Sequence, residues 1–418
     1  MLIEFSVSNF RSFRERQTLS MVAAPRLGKK ENVFKPKVAG ETLPNLLKVA
    51  AVYGPNASGK SSLVIAMNIV SCLLAMSPSE DVPLPVYPFR FDPALQDKPS
   101  EFEYNFISNG LRYQLLLAIT PERIIRESLI AYPRGKETLY YARSYSPGKG
   151  EIYEFGATLE GGNIVHDAWK RLTSPKTLFL GQATANSSED MTQLRRATEW
   201  FNKGSVCISQ DGMSGWAVMS RSMIKKNGSY KKYLQSFLQD VDVPITDIRF
   251  EIKNKSSQEI GPDSHFTEHL RAVETDSRTV LTHTTALGEA EFDFSEESGG
   301  TRNLMGFWLP WTLIDGKTSE HLIVVDELDS SLHPKIVENL IQRHLETSSG
   351  AQLIFTTHDT HLMNTKRMRR DQFWLTERDT NGATVMFSVH DFKGRDSEDM
   401  EKRYFEGRYR GLPILRRS

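Results

Sequence analysis

Alternating apolar and polar positions dominate the first third of the chain. Residues 2–7 (LIEFSV) alternate and Thr18–Ala24 makes a second β-like run, with Asn9-Phe10-Arg11-Ser12-Phe13 between them. That arrangement predicts a hairpin whose aromatic residues pack on a core. Phe102–Ile107 and Leu111–Ile119 alternate on either side of Ser108-Asn109-Gly110, a hairpin turn sequence. Ile124–Ala131, Glu137–Ser144 and Ile152–Phe155 continue as short β-like segments. The expectation is an antiparallel sheet, not the strand–helix alternation of a simple doubly wound domain. Two segments break the pattern. Residues 25–45 are basic and rich in Pro and Gly, and Ser77–Pro93 carries five prolines, so both read as loops.

From about residue 165 the spacing lengthens. Asp190–Phe201 and Tyr230–Val241 repeat apolar residues at helical intervals. In the second, Tyr230, Tyr233, Leu234, Phe237 and Leu238 share one face, which reads as core packing. Ile248–Ile252 and Val280–His283 return to strand, with the polar, loop-like Lys253–Glu268 between them. Leu47–Tyr53, the run HLIVVD from His321, and Gln352–His358 are continuous apolar runs, the mark of strands buried on both faces. The predicted class is α/β: a mixed sheet plus an antiparallel β lobe, with a largely helical insertion. The boundaries read as 1–160 for an N-terminal lobe, 161–245 for the insertion and 246–418 for a C-terminal lobe. No internal repeat or low-complexity tract is seen.

Composition adds bounds. At 418 residues the chain is long enough for two or three domains and a sizeable core. Hydrophobic residues at 39% and charged residues at 25% are ordinary for a soluble globular protein. Lys+Arg and Asp+Glu both number 52, so net charge offers no argument for a nucleic-acid or membrane partner, although a local patch remains open. The longest apolar run, Leu63–Met76, is broken by Asn68 and Ser71 and is too short to span a bilayer. The N-terminal stretch has Glu4 and no basic leader, unlike a signal peptide. Cys72 and Cys207 lack a C-x-x-C partner and read as buried thiols in a reducing compartment. The expected location is cytoplasmic.

The chemistry begins in the turn after the first buried run. GPNASGKSS, from Gly54 to Ser62, fits G-x-x-x-x-G-K-[ST] with Gly54, Gly59, Lys60 and Ser61 at the fixed positions. Pro55, Asn56, Ala57 and Ser58 complete the loop, and a helix is expected to begin near Ser61. Glycines let successive backbone N–H groups turn inward around phosphate oxygens, and the helix N-terminus adds partial positive charge. Lys60 would reach the β- and γ-phosphates of ATP, and the Ser61 hydroxyl would ligate Mg²⁺. Arg11 or its neighbours would approach the same nucleotide.

The run HLIVVDELDSSLHP follows a Gly316-Lys317 turn and delivers Asp326 and Glu327 at a strand end. Asp326 would hold Mg²⁺ through water, and Glu327 would act on the attacking water as general base. His358 ends QLIFTTH and would contact the γ-phosphate. Ser298-Gly299-Gly300 opens an amphipathic helix carrying Leu304, Phe307, Trp308 and Trp311, a second helix N-terminus suited to an anion.

The order of the P-loop, Ser298-Gly299-Gly300, Asp326-Glu327, Ser330-Ser331-Leu332-His333-Pro334 and Thr357-His358 resembles the ABC-type ATPase heads of the SMC, RecF and OLD class. The NFRSF segment and GPNASGKSS loop are also typical of that class. DELDSSLHP, AQLIFTTHD, FRFDP and the Phe405–Pro413 ending are similar to single-chain bacterial antiphage ATPases of the RloA/AbiL type. The resemblance spans nearly the whole chain and is weakest between residues 130 and 290. It implies that Ser298-Gly299-Gly300 is the signature, that the segment after Glu327 is the D-loop and that His358 is the switch histidine. The signature, ESGGTR, lacks the leucine expected before its serine. Gln96 and Gln114 are the candidates for a Q-loop glutamine, and neither is assigned. The heptads of SMC arms are absent.

The resemblance further implies a slow, oligomer-dependent ATPase. The P-loop of one copy would meet the signature of another in a homodimer or higher oligomer with composite ATP sites. The 60 residues after His358 leave no room for the Toprim nuclease that OLD proteins carry there, so an effector such as a nuclease or toxin would be a separate protein. The trigger would be a nucleic acid or a phage protein, with no membrane involved. Three readings compete: sensor and scaffold of an antiphage system, a RecF-like repair ATPase that binds DNA directly, and a non-hydrolysing nucleotide-gated scaffold. An ABC transporter subunit fits least, because the chain is much longer than a compact transporter head.

Overall fold

The computed structural model describes residues 1–412 apart from 78, 80, 253–276, 316–318, 331 and 395–397. The Lys253–Glu268 loop, the Gly316-Lys317 turn, Ser331 of the D-loop segment and Pro413 of the C-terminal motif lie outside the described residues.

In chain order, β1 (Leu2–Ser8) and β2 (Gln17–Ser20) form the expected antiparallel hairpin, with Phe10 and Phe13 fully buried between them. The second strand stops at Ser20 rather than Ala24, because Val22 turns away to bridge Leu46. The short β3 (Val33–Phe34) and β4 (Leu46–Leu47) pair with each other, and β5 (Val49–Tyr53) follows with all five residues buried. Helices α1 (Lys60–Met67) and α2 (Ile69–Ala75) come next. Then β6 (Ser100–Ser108), β7 (Leu111–Ile119), β8 (Ile124–Ala131), β9 (Thr138–Ser146) and β10 (Gly150–Phe155) run as an antiparallel meander. Asn109 (φ 49°) and Gly110 (φ 71°) make the β6–β7 turn, the doubly left-handed geometry that an Asn-Gly pair supplies. These strands and the first hairpin form one seven-stranded sheet in the order β10-β9-β8-β7-β6-β1-β2.

The helices α3 (Gly162–Leu172), α4 (Phe179–Ala185) and α5 (Gln193–Glu199) pack through Trp169, Phe179, Leu194 and Ala197 into the core shared by that sheet, α1 and α2. Next come β11 (Ser205–Ile208), α6 (Met213–Lys226) and α7 (Ser229–Asp240). Residues 161–245 therefore do not form a body of their own. Their first helices belong to the seven-stranded core, and β11 is a strand of the second sheet. On α7, Leu234, Phe237 and Leu238 are buried, whereas Tyr233, expected on the same face, is 66% exposed.

A three-stranded antiparallel sheet follows, β12 (Ile245–Ile252), β13 (Ser277–Thr285) and β14 (Gly288–Asp293). The Gly299–Ile314 helix is buried nearly all round, not on one face as its spacing suggested, since α6 covers the side away from the second sheet. That sheet is completed by β15 (Leu322–Val325), β16 (Gln352–Thr356), β17 (Phe373–Arg378) and β18 (Thr384–Ser388). Its order is β11-β15-β16-β5-β17-β18, parallel throughout except for β18. The Pro334–Glu346 helix packs against it. The fold is thus α/β, as expected: a mixed sheet holding the P-loop strand near its centre, beside an antiparallel β lobe. Among the described residues no helix is long and apolar enough to cross a membrane.

Candidate functional site

The three buried runs found in the sequence are adjacent strands. β5 lies beside β16, and β16 beside β15, all parallel, so their C-terminal ends open on one edge. Ligand sites of open α/β sheets form at that edge. Here it presents the Gly54–Ser61 loop, Asp326-Glu327 and His358.

The loop is clamped from behind by the β17–β18 hairpin. Ser58 Oγ and Thr376 Oγ1 are 2.6 Å apart, Thr376 Oγ1 donates to Tyr53 O (3.1 Å), and Thr384 Oγ1 donates to Ser58 O (2.9 Å). The fixed glycines answer to this clamp as well as to phosphate. Gly59 has φ 102°, and a Cβ there would lie 2.1 Å from Thr384 Oγ1 and 2.8 Å from Ser12 Oγ. A Cβ on Gly54 would lie 2.2 Å from Thr376 Oγ1. Ala57 is itself left-handed at φ 61°. Asn56, Ala57 and Ser61 are exposed, Pro55 and Ser62 half-buried, and Ser58 buried. Thr376 and Thr384 were not singled out in the sequence, because no short-range pattern links them to a loop some 320 residues before them.

Lys60 is buried, and its ammonium donates to Gly54 O (2.9 Å) and Pro55 O (3.2 Å), arching across its own loop. Burial pulls its pKa down, while Glu327, Asp326 and Asp329 push it back. Asp326 is buried; Thr356 Oγ1 donates to its Oδ1 (2.6 Å) and accepts from Glu327 N (2.8 Å), so one hydroxyl sets both acids. Glu327 stands in the left-handed region at φ 51°. A non-glycine residue there carries about 1–2 kcal/mol of strain. His358 is exposed; desolvation and then Lys60 lower its pKa, against Asp329, Glu327 and Asp326. It is therefore a neutral imidazole at neutral pH.

The residue the sequence did not yield is Gln210. It follows β11, the outermost strand of this sheet, and its Nε2 donates to Glu327 Oε2 at 2.7 Å. The two Q-loop candidates lie elsewhere: Gln96 bonds Arg90 O, and Gln114 bonds Glu103 and Tyr132 on the antiparallel sheet. The signal available for Gln210 was Val206-Cys207-Ile208, a run too short to separate from the helices around it.

Arg11 is exposed in a left-handed turn (φ 52°), its amide donating to Tyr87 O at 2.6 Å. It borders a cleft of about 770 Å³ next to the P-loop, together with Ala57, Tyr87, Arg90, Phe91 and Arg378. Ser298 caps the Gly299–Ile314 helix, accepting from Thr301 N (3.1 Å), and Ser298 and Gly299 are exposed while Gly300 is half-buried. Asn303 on that helix donates to Ser330 O (3.1 Å), joining it to the segment after Glu327. Among the described residues, no hydrogen bond or ion pair joins Ser298-Gly299-Gly300 to the P-loop of the same chain.

The donor set suits a hard divalent cation. Ser61 and Asp326 offer oxygen only, and Mg²⁺ keeps waters and phosphate oxygens for the rest of its shell.

This edge, a P-loop beside a strand ending in two acids within an α/β fold, is the arrangement of a P-loop ATPase. The chain belongs to the family described as "AAA domain, putative AbiEii toxin, Type IV TA system", which matches residues 49–364. Among solved structures it is similar to an SMC head bound to the C-terminal winged-helix domain of ScpA (14% identity, 93% of this chain and 98% of that one, TM-score 0.43). It is also similar to the SMC head domain from Thermotoga maritima (14% identity, 93% and 98%, TM-score 0.38). A third is an SMC head with an extended coiled coil, bound to the C-terminal domain of ScpA derived from Pyrococcus furiosus (12% identity, 98% and 99%, TM-score 0.38). No curated protein matches the chain.

Proposed function

We propose that the chain binds and hydrolyses ATP with Mg²⁺ at this edge, in a site completed by a second copy. In this reading it serves as sensor and scaffold of a bacterial antiphage system whose effector is a separate protein. The observation that carries the hydrolytic part is the joint setting of Asp326 and Glu327 by Thr356, with Gln210 on Glu327 and Lys60 close enough to be influenced by both acids. Gly54–Ser62 would hold the phosphates, with Lys60 on the β- and γ-phosphates. Ser61 and Asp326 would hold Mg²⁺, which supplies charge neutralisation when bound. Glu327 would take a proton from the attacking water, with Gln210 fixing its carboxylate, and His358, neutral, would donate to the terminal phosphate. Arg11 would reach the nucleotide from the neighbouring cleft, whose exposed Tyr87 and Phe91 offer faces for a base.

The exposed signature supports the second copy. Ser298 and Gly299 are exposed at a helix N-terminus that, among the described residues, has no hydrogen bond to the P-loop of its own chain, as expected of a half-site. The antiphage role rests on the motif blocks DELDSSLHP and AQLIFTTHD and on membership of a family associated with a type IV toxin–antitoxin system. The test is phosphate release from ATP and Mg²⁺ as a function of protein concentration. Turnover per chain that rises with concentration and vanishes in Glu327→Gln supports the reading. Turnover absent from the wild type at all concentrations would favour a nucleotide-gated scaffold instead.

A further inference from the structure

The loop at residues 25–37, PRLGKKENVFKPK, has no part in the site described above, yet it is held with unusual care. Arg369 and Asp371, each 5% exposed, form a buried ion pair beneath it (2.6 Å). The Arg369 guanidinium donates to Ala24 O (2.8 Å), Gly28 O (3.0 Å) and Leu27 O (3.3 Å), and Ala24 N donates to Asp371 Oδ2 (2.7 Å). Asn32, 1% exposed, donates from its amide to Arg367 O (2.8 Å) and Gln372 Oε1 (2.7 Å). Fixing a surface residue costs about 1–2 kcal/mol of backbone entropy, and a merely solvated charge run has no use for it.

What the staples hold is cationic. Arg26, Lys30, Lys35 and Lys37 are exposed and Lys29 is half-buried, and Lys366 is exposed on the segment that carries the staples. None of the six forms an ion pair with another described residue. On the antiparallel lobe, Arg14–Asp92, Arg16–Glu103, Arg112–Glu41 and Arg123–Glu151 are paired, and Arg134, Lys136 and Lys149, which form no ion pair with another described residue, are spread over two separate turns. In a chain with 52 cationic and 52 anionic residues, this unmatched cluster is a local departure and not a share of a general excess. It lies at the N-terminal ends of β5 and β17, whose C-terminal ends carry the nucleotide edge and its hairpin.

We infer that this loop and Lys366 form a docking surface for the phosphate backbone of a nucleic acid. Charge alone fits an acidic protein segment equally well; the surroundings decide. Protein interfaces bury an apolar or aromatic centre and are depleted in Lys, whereas nucleic-acid interfaces are polar and rich in it. No large hydrophobic side chain in residues 1–76 or 361–404 is among the exposed ones of the described chain. The surface therefore offers charge and backbone polar groups with no apolar anchor. Such a surface positions a polyanion without reading its sequence.

The test uses the full-length protein with fluorescent 30-nucleotide probes of duplex DNA, single-stranded DNA and RNA, titrated between 50 and 200 mM salt. The expected result is binding of at least one probe, with an affinity that falls steeply with salt. Lys29→Glu/Lys30→Glu and Lys35→Glu/Lys37→Glu, made separately so that a folding defect in one leaves the other, should each weaken binding tenfold or more. Each should also lower the slope of log affinity against log salt by about 2, since every phosphate left unneutralised takes about 0.9 from it. Lys225→Glu/Lys226→Glu at the end of α6 makes the same charge change elsewhere and should leave the affinity within twofold. ATP turnover should stay at the wild-type level in all three. Binding of none of the probes, binding of polyglutamate alone, or equal weakening in the α6 variant would overturn the inference.

Discussion

Gln210 and Glu327, 117 positions apart in the chain, meet through a 2.7 Å hydrogen bond in which the amide Nε2 donates to the carboxylate Oε2. The bond spans the outer two strands of the mixed sheet, since β11 pairs with β15 in parallel from Ser205 opposite Leu322 to Ile208 opposite Val325. It fixes one carboxylate oxygen of Glu327, while the backbone of the same residue is held by Thr356. A carboxylate anchored at both ends is positioned for one task.

Gln210→Ala should therefore slow ATP turnover while nucleotide affinity changes little. Loss of positioning of about 1 Å costs up to about a hundredfold, so a fall of roughly tenfold to a hundredfold is expected. Steady-state phosphate release and equilibrium binding of a fluorescent nucleotide separate the two effects. Equal loss of binding and turnover would mean that Gln210 serves the fold of the loop and not Glu327.

Gly59→Ala should destabilise the fold by about 2–4 kcal/mol, from the left-handed backbone together with the overlap onto Thr384 Oγ1. The clamp makes a sharper statement than the motif alone. Thr384→Ala removes the atom that the new Cβ meets, so the double variant should recover part of the loss in urea unfolding. Strictly additive losses would place the strain elsewhere.

The P-loop, both acids and His358 could be read from the chain because each sits within a few residues of a buried strand, where composition and position report together. The meander was legible for the same reason: alternation and Asn109-Gly110 are local. β11 was not, since only four residues form it and its neighbours are helical, so its place beside β15 is a tertiary fact. With it went Gln210. Thr376 and Thr384 were hidden in another way. Both are ordinary strand residues whose meaning comes from the loop they face across the sheet.

Lys60→Ala should abolish nucleotide binding and leave the unfolding midpoint nearly unchanged, within the ~1 kcal/mol that one or two hydrogen bonds contribute. Its ammonium is held partly against the cost of burial, by carbonyls of its own loop, so its removal relieves one cost as it loses two bonds. Calorimetric titration with ATP and a thermal melt on the same sample test both halves. Tight ATP binding by this variant would refute the assignment of the loop.

Stability should fall in mild acid because of His344. It is fully buried on the Pro334–Glu346 helix, with Nε2 donating to Lys48 O at 3.2 Å, and burial lowers its pKa from 6.5 to about 4. The folded state excludes a proton that the unfolded chain accepts. Its contribution is thus complete above pH 6.5 and is lost as pH falls from there to about 4. At about 1.4 kcal/mol per unit this amounts to ~3 kcal/mol. Urea unfolding at pH 7 and pH 4.5 should show a smaller fall for His344→Gln than for the wild type. Equal falls would show that His344 is not the group responsible.

The central claim is that the P-loop edge of one copy is completed by the Ser298 helix of another, and that Glu327 ends the association by hydrolysis. Light-scattering mass of Glu327→Gln with ATP and Mg²⁺ tests it most directly. The account predicts a mass at least twice that of the 47.5 kDa chain, stable over hours, reverting to one chain without ATP and absent from Glu327→Gln/Ser298→Arg. A variant that binds ATP yet remains at the mass of one chain would contradict it.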